Sequence, residues 1–500
     1  MADNNFANQL RGYDIQGIPT HEEYQNYIRR WEFLIRSYLG GAQYKLGHYL
    51  TKYVLESKGE YQQRLASTPL DNHCKSIIHI YNSFLFRNEP DRDFGSMEGM
   101  PELEAFLYDA DLEGRSWDSF IKDVNIMSSV YGHCLVLVDK PETNAGTRAE
   151  ELAQGLRPYA NIYTPENILD WQFTRLENGA YELTYLKLFE KDARAYNQPS
   201  QYYVRTWTKD TVILEEYSIN ELEKLRLISE SPNLLGKVPA VFVYAQRSPT
   251  KGIGVSDIGD VADMQNAIYN ELSEIEQLIR ISNHPTLVKT IDCEASAGAG
   301  AIINMPNDTD PGLRPQLLQP SGQSLEGILN SIQNKVEAID RMGHLGSMRA
   351  IEQRAQSGIS LQTEMLQFDT KLNEKARSLE LAEEQIFDLF ALWQGMVFDG
   401  EIEYPTVFQV RDKNHEIDLL KKAADTNPAD PRVKRAIDMK ILEMLDMSED
   451  DLEELDSPEE QSQIQEQLMT GDSNEEIIED NPGTTVTDIE AAAAAAAREN

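Results

Sequence analysis

The sequence predicts an α+β protein, mainly helical, that ends in an acidic tail. Three observations predict it. Apolar residues recur at three- and four-residue steps over long stretches near both ends of the first 400 residues. A block of short runs rich in β-branched and aromatic residues lies between them, and from Glu449 onward the chain has no aromatic residue at all. With 500 residues and 41% hydrophobic content, it can bury one large core or several smaller ones. No apolar run reaches the roughly 18 to 20 residues of a membrane-spanning helix, and the first residues lack a basic-then-apolar leader. Folding in a cytoplasm, away from membranes, is therefore expected.

Taken in order, Tyr24 to Asn88 reads as three short packed helices, broken at Gly40 and Gly41 and again at Pro69. Tyr61, Leu65, Ile77, Ile78, Tyr81 and Leu85 fall on its buried faces. A loop from Asp91 to Met100 leads to an amphipathic helix over Trp117 to Val130, and Gly132 hands the chain to a buried strand, Cys134 to Val138. Further strands are expected at Ala160 to Tyr163, Tyr181 to Leu188, Tyr202 to Thr208, Val212 to Tyr217 and Ala240 to Tyr244, with turns at Asn178-Gly179 and Lys209-Asp210.

Ser256 then serves as an N-cap with Asp257 and Asp260 at the positive helix end, and no breaker intervenes before His284-Pro285. A helix over Asp257 to Asn283 would be roughly 40 Å long. Along it Ile258, Val261, Gln265, Ile268, Leu272, Ile275 and Ile279 form a seam that only Gln265 interrupts. Thr286 to Gly322 is rich in Gly and Pro, and its segments Thr286 to Ile291 and Ala301 to Met305 are candidates to pair as short strands. A helix over Leu325 to Met342, a Gly-punctuated stretch from Gly343 to Gly358, and a very long helix from Leu361 to Val397 follow. Gly400 stops that helix. Ile402 to Val410 alternates like an edge strand, and Asn414 to Ala424 and Pro431 to Leu445 are helical pieces.

The net charge is −38, from 46 basic and 84 acidic side chains, the opposite of a tight nucleic-acid binder's footprint. The segment Glu449 to Asn500 holds 17 acids against Arg498 alone, so the body is acidic as well as the tail. Cys74, Cys134 and Cys293 are widely spaced, odd in number and without a Cys-x-x-Cys pair, which reads as free buried thiols. His73 and His133 adjoin two of them, but neighbouring residues point different ways, so no metal site is expected.

Enzymatic signatures are missing too. There is no P-loop, no Gly-x-Ser-x-Gly elbow and no His-Glu-x-x-His helix. Gly252-Ile-Gly254 precedes a helix whose first turn carries Asp257 and Asp260, which would repel a phosphate; it reads as a turn. Glu215-Glu216 and Glu383-Glu384 read as solvated surface in so acidic a chain. Neither an enzyme nor a cofactor is expected, although a hydrolase with a scattered acid and base stays open.

Two stretches carry a family resemblance: Gly254-Val-Ser-Asp-Ile-Gly-Asp-Val-Ala-Asp-Met-Gln-Asn-Ala-Ile-Tyr-Asn-Glu-Leu-Ser273, and Gln356-Ser-Gly-Ile-Ser-Leu-Gln-Thr-Glu-Met365 running into Leu372 and Ala376. Together with the order of elements, they resemble the portal proteins of tailed bacteriophages. Tyr44 to Arg64, with Tyr49-Leu50, Glu56 and Tyr61-Gln-Gln-Arg64, is similar more loosely to the start of the family's wing.

The resemblance implies a wing over 1–255, stem helices over 256–283 and 323–342, a clip over 284–322 and a tunnel loop over 343–358. A long helix with a returning wing strand (359–412), a crown (413–447) and an acidic, disordered tail (448–500) complete it. It implies a homo-oligomeric ring of 12 subunits around double-stranded DNA at a virion's capsid vertex, assembled in the bacterial cytoplasm. The implied partners are the terminase motor, major capsid and scaffolding proteins, and head-completion or tail adaptor proteins.

On this reading Ile258, Val261, Ile268, Leu272, Ile275 and Ile279 join subunits, while Arg341, Met348, Arg349 and Arg354 are tunnel-loop candidates for touching DNA, and Gly343, Gly346 and Gly358 are hinges. A monomeric helical bundle would bury the same seam. The rival reading is an acidic cytoplasmic adaptor or chaperone-type scaffold that binds basic partners; it has no use for the β-rich middle.

Overall fold

A computed structural model of the chain describes residues 18–141, 150–151, 154–192, 201–218, 225–283, 286–288, 310, 316–318, 323–345, 358–406, 408 and 421–422. It has two compact units, Met1–Gln409 and Val410–Asn500; of the second, Lys421 and Lys422 are described, both helical and exposed. The first unit is mixed α+β.

It begins with four helices, α1 (Glu22–Leu39), α2 (Gly41–Leu46), α3 (Lys58–Ser67) and α4 (His73–Leu85), one more than expected. Gly40 separates the first two because its φ of 68° is open to glycine and strained for other residues. Ser57 and Glu60 close a reciprocal capping box on α3, and Asn72 caps α4.

The expected loop over Asp91 to Met100 contains a strand, β1 (Asp91–Asp93), and a helix not foreseen, α5 (Pro101–Tyr108), follows it. Pro101 starts that helix, where its missing N–H costs nothing. Helix α6 (Trp117–Tyr131) ends at Gly132, whose φ is 94°. Strand β2 (His133–Asp139) follows, buried along its whole length.

Strands β3 (Tyr159–Tyr163), β4 (Ile168–Arg175), β5 (Tyr181–Lys191), β6 (Tyr202–Thr208), β7 (Thr211–Tyr217), β8 (Leu225–Pro232) and β9 (Ala240–Tyr244) form two antiparallel sheets. One is a meander in the order β4-β5-β6-β7-β8; the other has β2 between β3 and β9. Strands β4 and β8 were missing from the sequence reading. Arg205 ties the sheets together, pairing with Glu190 at 2.9 Å and Asp139 at 3.4 Å.

Helix α7 (Gly259–Asn283) leads to β10 (Thr286–Val288), which pairs antiparallel with β11 (Gln316–Leu318). The strand at Thr286 thus exists with a partner other than the one expected; Ala301 to Met305 lies outside the described residues. Helix α8 (Gln323–Met342) returns, α9 (Gly358–Trp393) runs for 36 residues, and β12 (Glu401–Glu403) pairs with β1. The long helix stops at Trp393, seven residues before Gly400.

One apolar core runs through the unit. Helix α9 lies on the small sheet, where Trp393 Nε1 donates to Val138 O at 2.9 Å and Ser378 Oγ to Tyr244 O at 2.7 Å. A second cluster of Tyr44, Leu50, Tyr61, Leu65 and Tyr269 seats α2 and α3 against α7. Among the described residues no helix is long and apolar enough to cross a membrane.

Candidate functional site

Helices α7 and α8 form the feature that sequence reasoning singled out, and their surroundings show how α7 is held. Before it, Gly132 and Gly254 cross backbone to backbone: a Cβ on Gly254 would fall 2.0 Å from Gly132 O. The Gly252-Ile-Gly254 cluster is therefore a packing turn. Ser256 Oγ donates to Val130 O at 2.7 Å and accepts from Ile258 N at 3.2 Å, so it fastens the helix start to α6.

Asp257 does more than the helix-end role expected of it. It is buried, with Lys375 Nζ at 2.6 Å and Lys371 Nζ at 2.9 Å, and Lys375 also donates to Ser129 Oγ. Burial alone would raise its carboxyl pKa; the two ammonium groups outweigh that and hold it below the ordinary aspartate value. One carboxylate thus joins α6, α7 and α9.

Gln265, the apparent flaw in the seam, is fully buried. Its Oε1 accepts from Cys74 N at 2.9 Å and its Nε2 donates to Ser37 O at 3.1 Å. It satisfies one orphan group at the end of α1 and another at the start of α4, so an amide is needed where the pattern called for an aliphatic side chain.

Ile258, Val261 and Ile268 lie in the protomer's own core, Leu272 packs against that core, and Ile275 is buried as well. Within one chain α1, α4 and α8 already cover that stretch of α7, so Ile258, Val261 and Ile268, expected between subunits, face the protomer's own core, while Leu272 is only partly buried. Ile279 continues the same stripe and is 42% exposed. Helix α8 shows the same gradient. Its Ile339 is fully buried, Ile332 and Val336 pack against the core, and Leu329 on the same face is 50% exposed. Glu271 clips the two helices together through Lys335 at 2.6 Å and Ser331 at 2.8 Å.

At the far end of the pair, then, the apolar stripe emerges from the core, with Ile279 and Leu329 only about half covered.

At the near end, Gly343, expected as a hinge, is buried and its carbonyl accepts Tyr81 OH at 2.9 Å. The turn falls instead to His344, with φ 53°: Leu345 N bonds Asp340 O and His344 N bonds Arg341 O. Arg341 is exposed in the last turn of α8, and Gly358 is the first residue of α9. Met348, Arg349, Arg354 and Gly346 lie outside the described residues, as do Cys293, the tail, and all but Lys421 and Lys422 of the expected crown.

Glu383 is a further correction. Read as solvated, it is completely buried, accepting from Arg92 at 2.8 Å, Trp117 Nε1 at 3.0 Å and the Tyr404 hydroxyl. Arg92 also holds Asp118 at 2.7 Å. This binds α9 to β1, α6 and the segment after β12. Glu384 stays partly exposed, its pKa raised by partial burial and by Glu380, Glu401 and Asp388.

The thiols of Cys74 and Cys134 are buried, and burial pushes both pKa values up. His133 Nδ1 accepts from Gly254 N at 3.2 Å. Among the described residues no group of three or more His, Cys, Asp or Glu side chains is placed to hold a metal ion.

No protein-family model and no curated protein matches the sequence. Solved structures similar to the chain include two from gene transfer agent particles. One belongs to the neck of an empty particle computed with C6 symmetry, with 9% identity and a TM-score of 0.42 over 80% of this chain and 98% of that one. Another belongs to the virion of a native particle, with 10% identity and a TM-score of 0.41 over 81% and 98%. At this level the likeness is one of backbone course, and no activity comes with it.

Proposed function

We propose that the chain is a portal protein of a tailed bacteriophage, a non-catalytic subunit of a ring-shaped DNA channel at one capsid vertex. In this reading 1–255 is the wing, α7 and α8 are the stem, 284–322 is the clip and 343–358 is the tunnel loop. Residues 359–412 bridge back to the wing, 413–447 form the crown and 448–500 are the acidic tail. The ring has 12 subunits, passes double-stranded DNA during packaging and ejection, and docks terminase and then head-completion or tail adaptor proteins.

The observation that carries this reading is the helix pair whose apolar strip outruns its own core. Such a surface stays wet in a monomer and is covered when copies stand side by side. The acidity fits a conduit in which DNA slides, because each phosphate contact is a brake that strengthens as salt falls. Negative-stain images of the purified protein should show rings with a stain-filled centre. Native mass measurements that find monomer alone at micromolar concentration would overturn the reading.

A further inference from the structure

Where Arg205 joins the two sheets, charge does not balance. Strand β6 sends this guanidinium between Glu190 of β5, in its own sheet, and Asp139 at the end of β2, in the other. Glu190 has the larger share of it: Nε donates to Oε1 at 2.9 Å and Nη2 to Oε2 at 3.2 Å, while Asp139 Oδ2 accepts from Nη1 at 3.4 Å. Strand β3 adds two hydroxyls, Tyr163 donating to Glu190 Oε1 at 2.8 Å and Tyr159 to Asp139 Oδ2 at 3.3 Å. Asp139 Oδ1 accepts from Lys140 N at 2.8 Å. Two carboxylates thus share one cation.

The surrounding elements leave that imbalance standing. Lys140 Nζ is taken up by Glu151 at 2.7 Å, and Arg157, which leads into β3, by Asp109 at 3.1 Å. Helix α9 reaches β2 through Trp393, and its last turn, Phe390 to Trp393, carries no charge. Beyond Glu190, Lys191 and Asp192 are exposed and of opposite sign, and Lys237, ahead of β9, is half-exposed. Among the described residues Arg205 is the one cation in an ion pair with Asp139.

Of the two acids, Asp139 is the one placed to gain a proton. Its side chain is 9% exposed against 19% for Glu190, and its bond to Arg205 is the longest of the three. Burial pushes its carboxyl above the ordinary aspartate value in spite of Arg205, and Glu190 adds to the push. Once protonated, Asp139 has a hydrogen to donate, and Glu190 keeps the guanidinium without a rival.

We propose that the joint between the sheets is a proton-operated latch: in mild acid Asp139 takes up a proton, and the meander is then held more firmly to the small sheet than at neutral pH. An ordinary ion pair behaves the opposite way, because acid discharges its carboxylate. The unfolded chain protonates this aspartate near pH 3.9. Its contribution to stability is therefore complete below about pH 3.9 and is lost as pH rises through the higher folded value.

The test compares full-length wild type with D139N by chemical denaturation from pH 7 to about pH 4.5, with amide exchange followed in β3, β5 and β6. Both chains keep the buried His133, so its titration cancels. As pH falls, the folding constant of wild type should gain on that of D139N, by at most about tenfold per pH unit for one proton, and exchange in these strands should slow in step. A ratio that stays constant or falls overturns the latch, and so does a gain that leaves exchange in these strands unchanged. Should D139N fold poorly, D139S is the non-titrating reference and is read in the same way.

Discussion

His133 sits in the fully buried strand β2, and burial pushes its pKa down to about 3, so the folded chain keeps it neutral. The unfolded chain protonates it near pH 6.5. As pH falls from about 6.5 towards 3, the unfolded state binds a proton that the folded state does not, and stability drops by about 1.4 kcal/mol per unit. Between pH 7 and pH 5 wild type should therefore lose about 2 kcal/mol more than His133→Gln in chemical denaturation; equal losses would refute the assignment. At this scale the sequence was a poor guide. Gln265 looked like a defect, Asp257 like a helix-end acid and Glu383 like surface, because each is explained by partners more than 100 residues away or, for Gln265, by two helix ends that only the fold brings together.

Elements were far more legible, for physical reasons. Helices α6 to α9 and strands β2, β3, β5, β6, β7 and β9 carry the period of the surface they bury, so periodicity alone places them to within a few residues. Strand β8 was missed because it is an edge strand with little buried face, and β1 because a three-residue strand carries too short a pattern. The glycine crossing before α7 was visible as a motif but not as a close approach. Gly254→Ala should cost about 1–3 kcal/mol in denaturation free energy, since the new Cβ meets main chain that cannot swing aside. Gly327→Ala, inside α8 with open space around it, should stabilise by up to about 1 kcal/mol. Equal effects at the two sites would contradict the packing described.

At the scale of the whole molecule, charge is the governing quantity. A net −38 repels DNA from most of the surface, so in the proposed channel any productive contact falls to few cations. Arg349 and Arg354 are the proposed ones. Charge reversal at both, Arg349→Glu with Arg354→Glu, should leave ring images unchanged and alter the efficiency or length of packaged DNA; wild-type packaging would remove them from the mechanism. The seam of α7 shows where sequence reading stops at this scale. Period identifies an apolar stripe, but whether the chain's own body or a sister copy covers it depends on how far that body extends, and here it covers Ile258 to Ile268 and leaves Ile279 open.

The grip on α9 has a mechanical corollary. The helix is fastened at its middle by Asp257 through Lys371 and Lys375, and again at Glu383 through Arg92 and Trp117. The eight residues from Lys375 to Glu383 span about 12 Å of continuous helix. A strut held at two points this close resists bending between them, so whatever displaces one anchorage must carry the other with it.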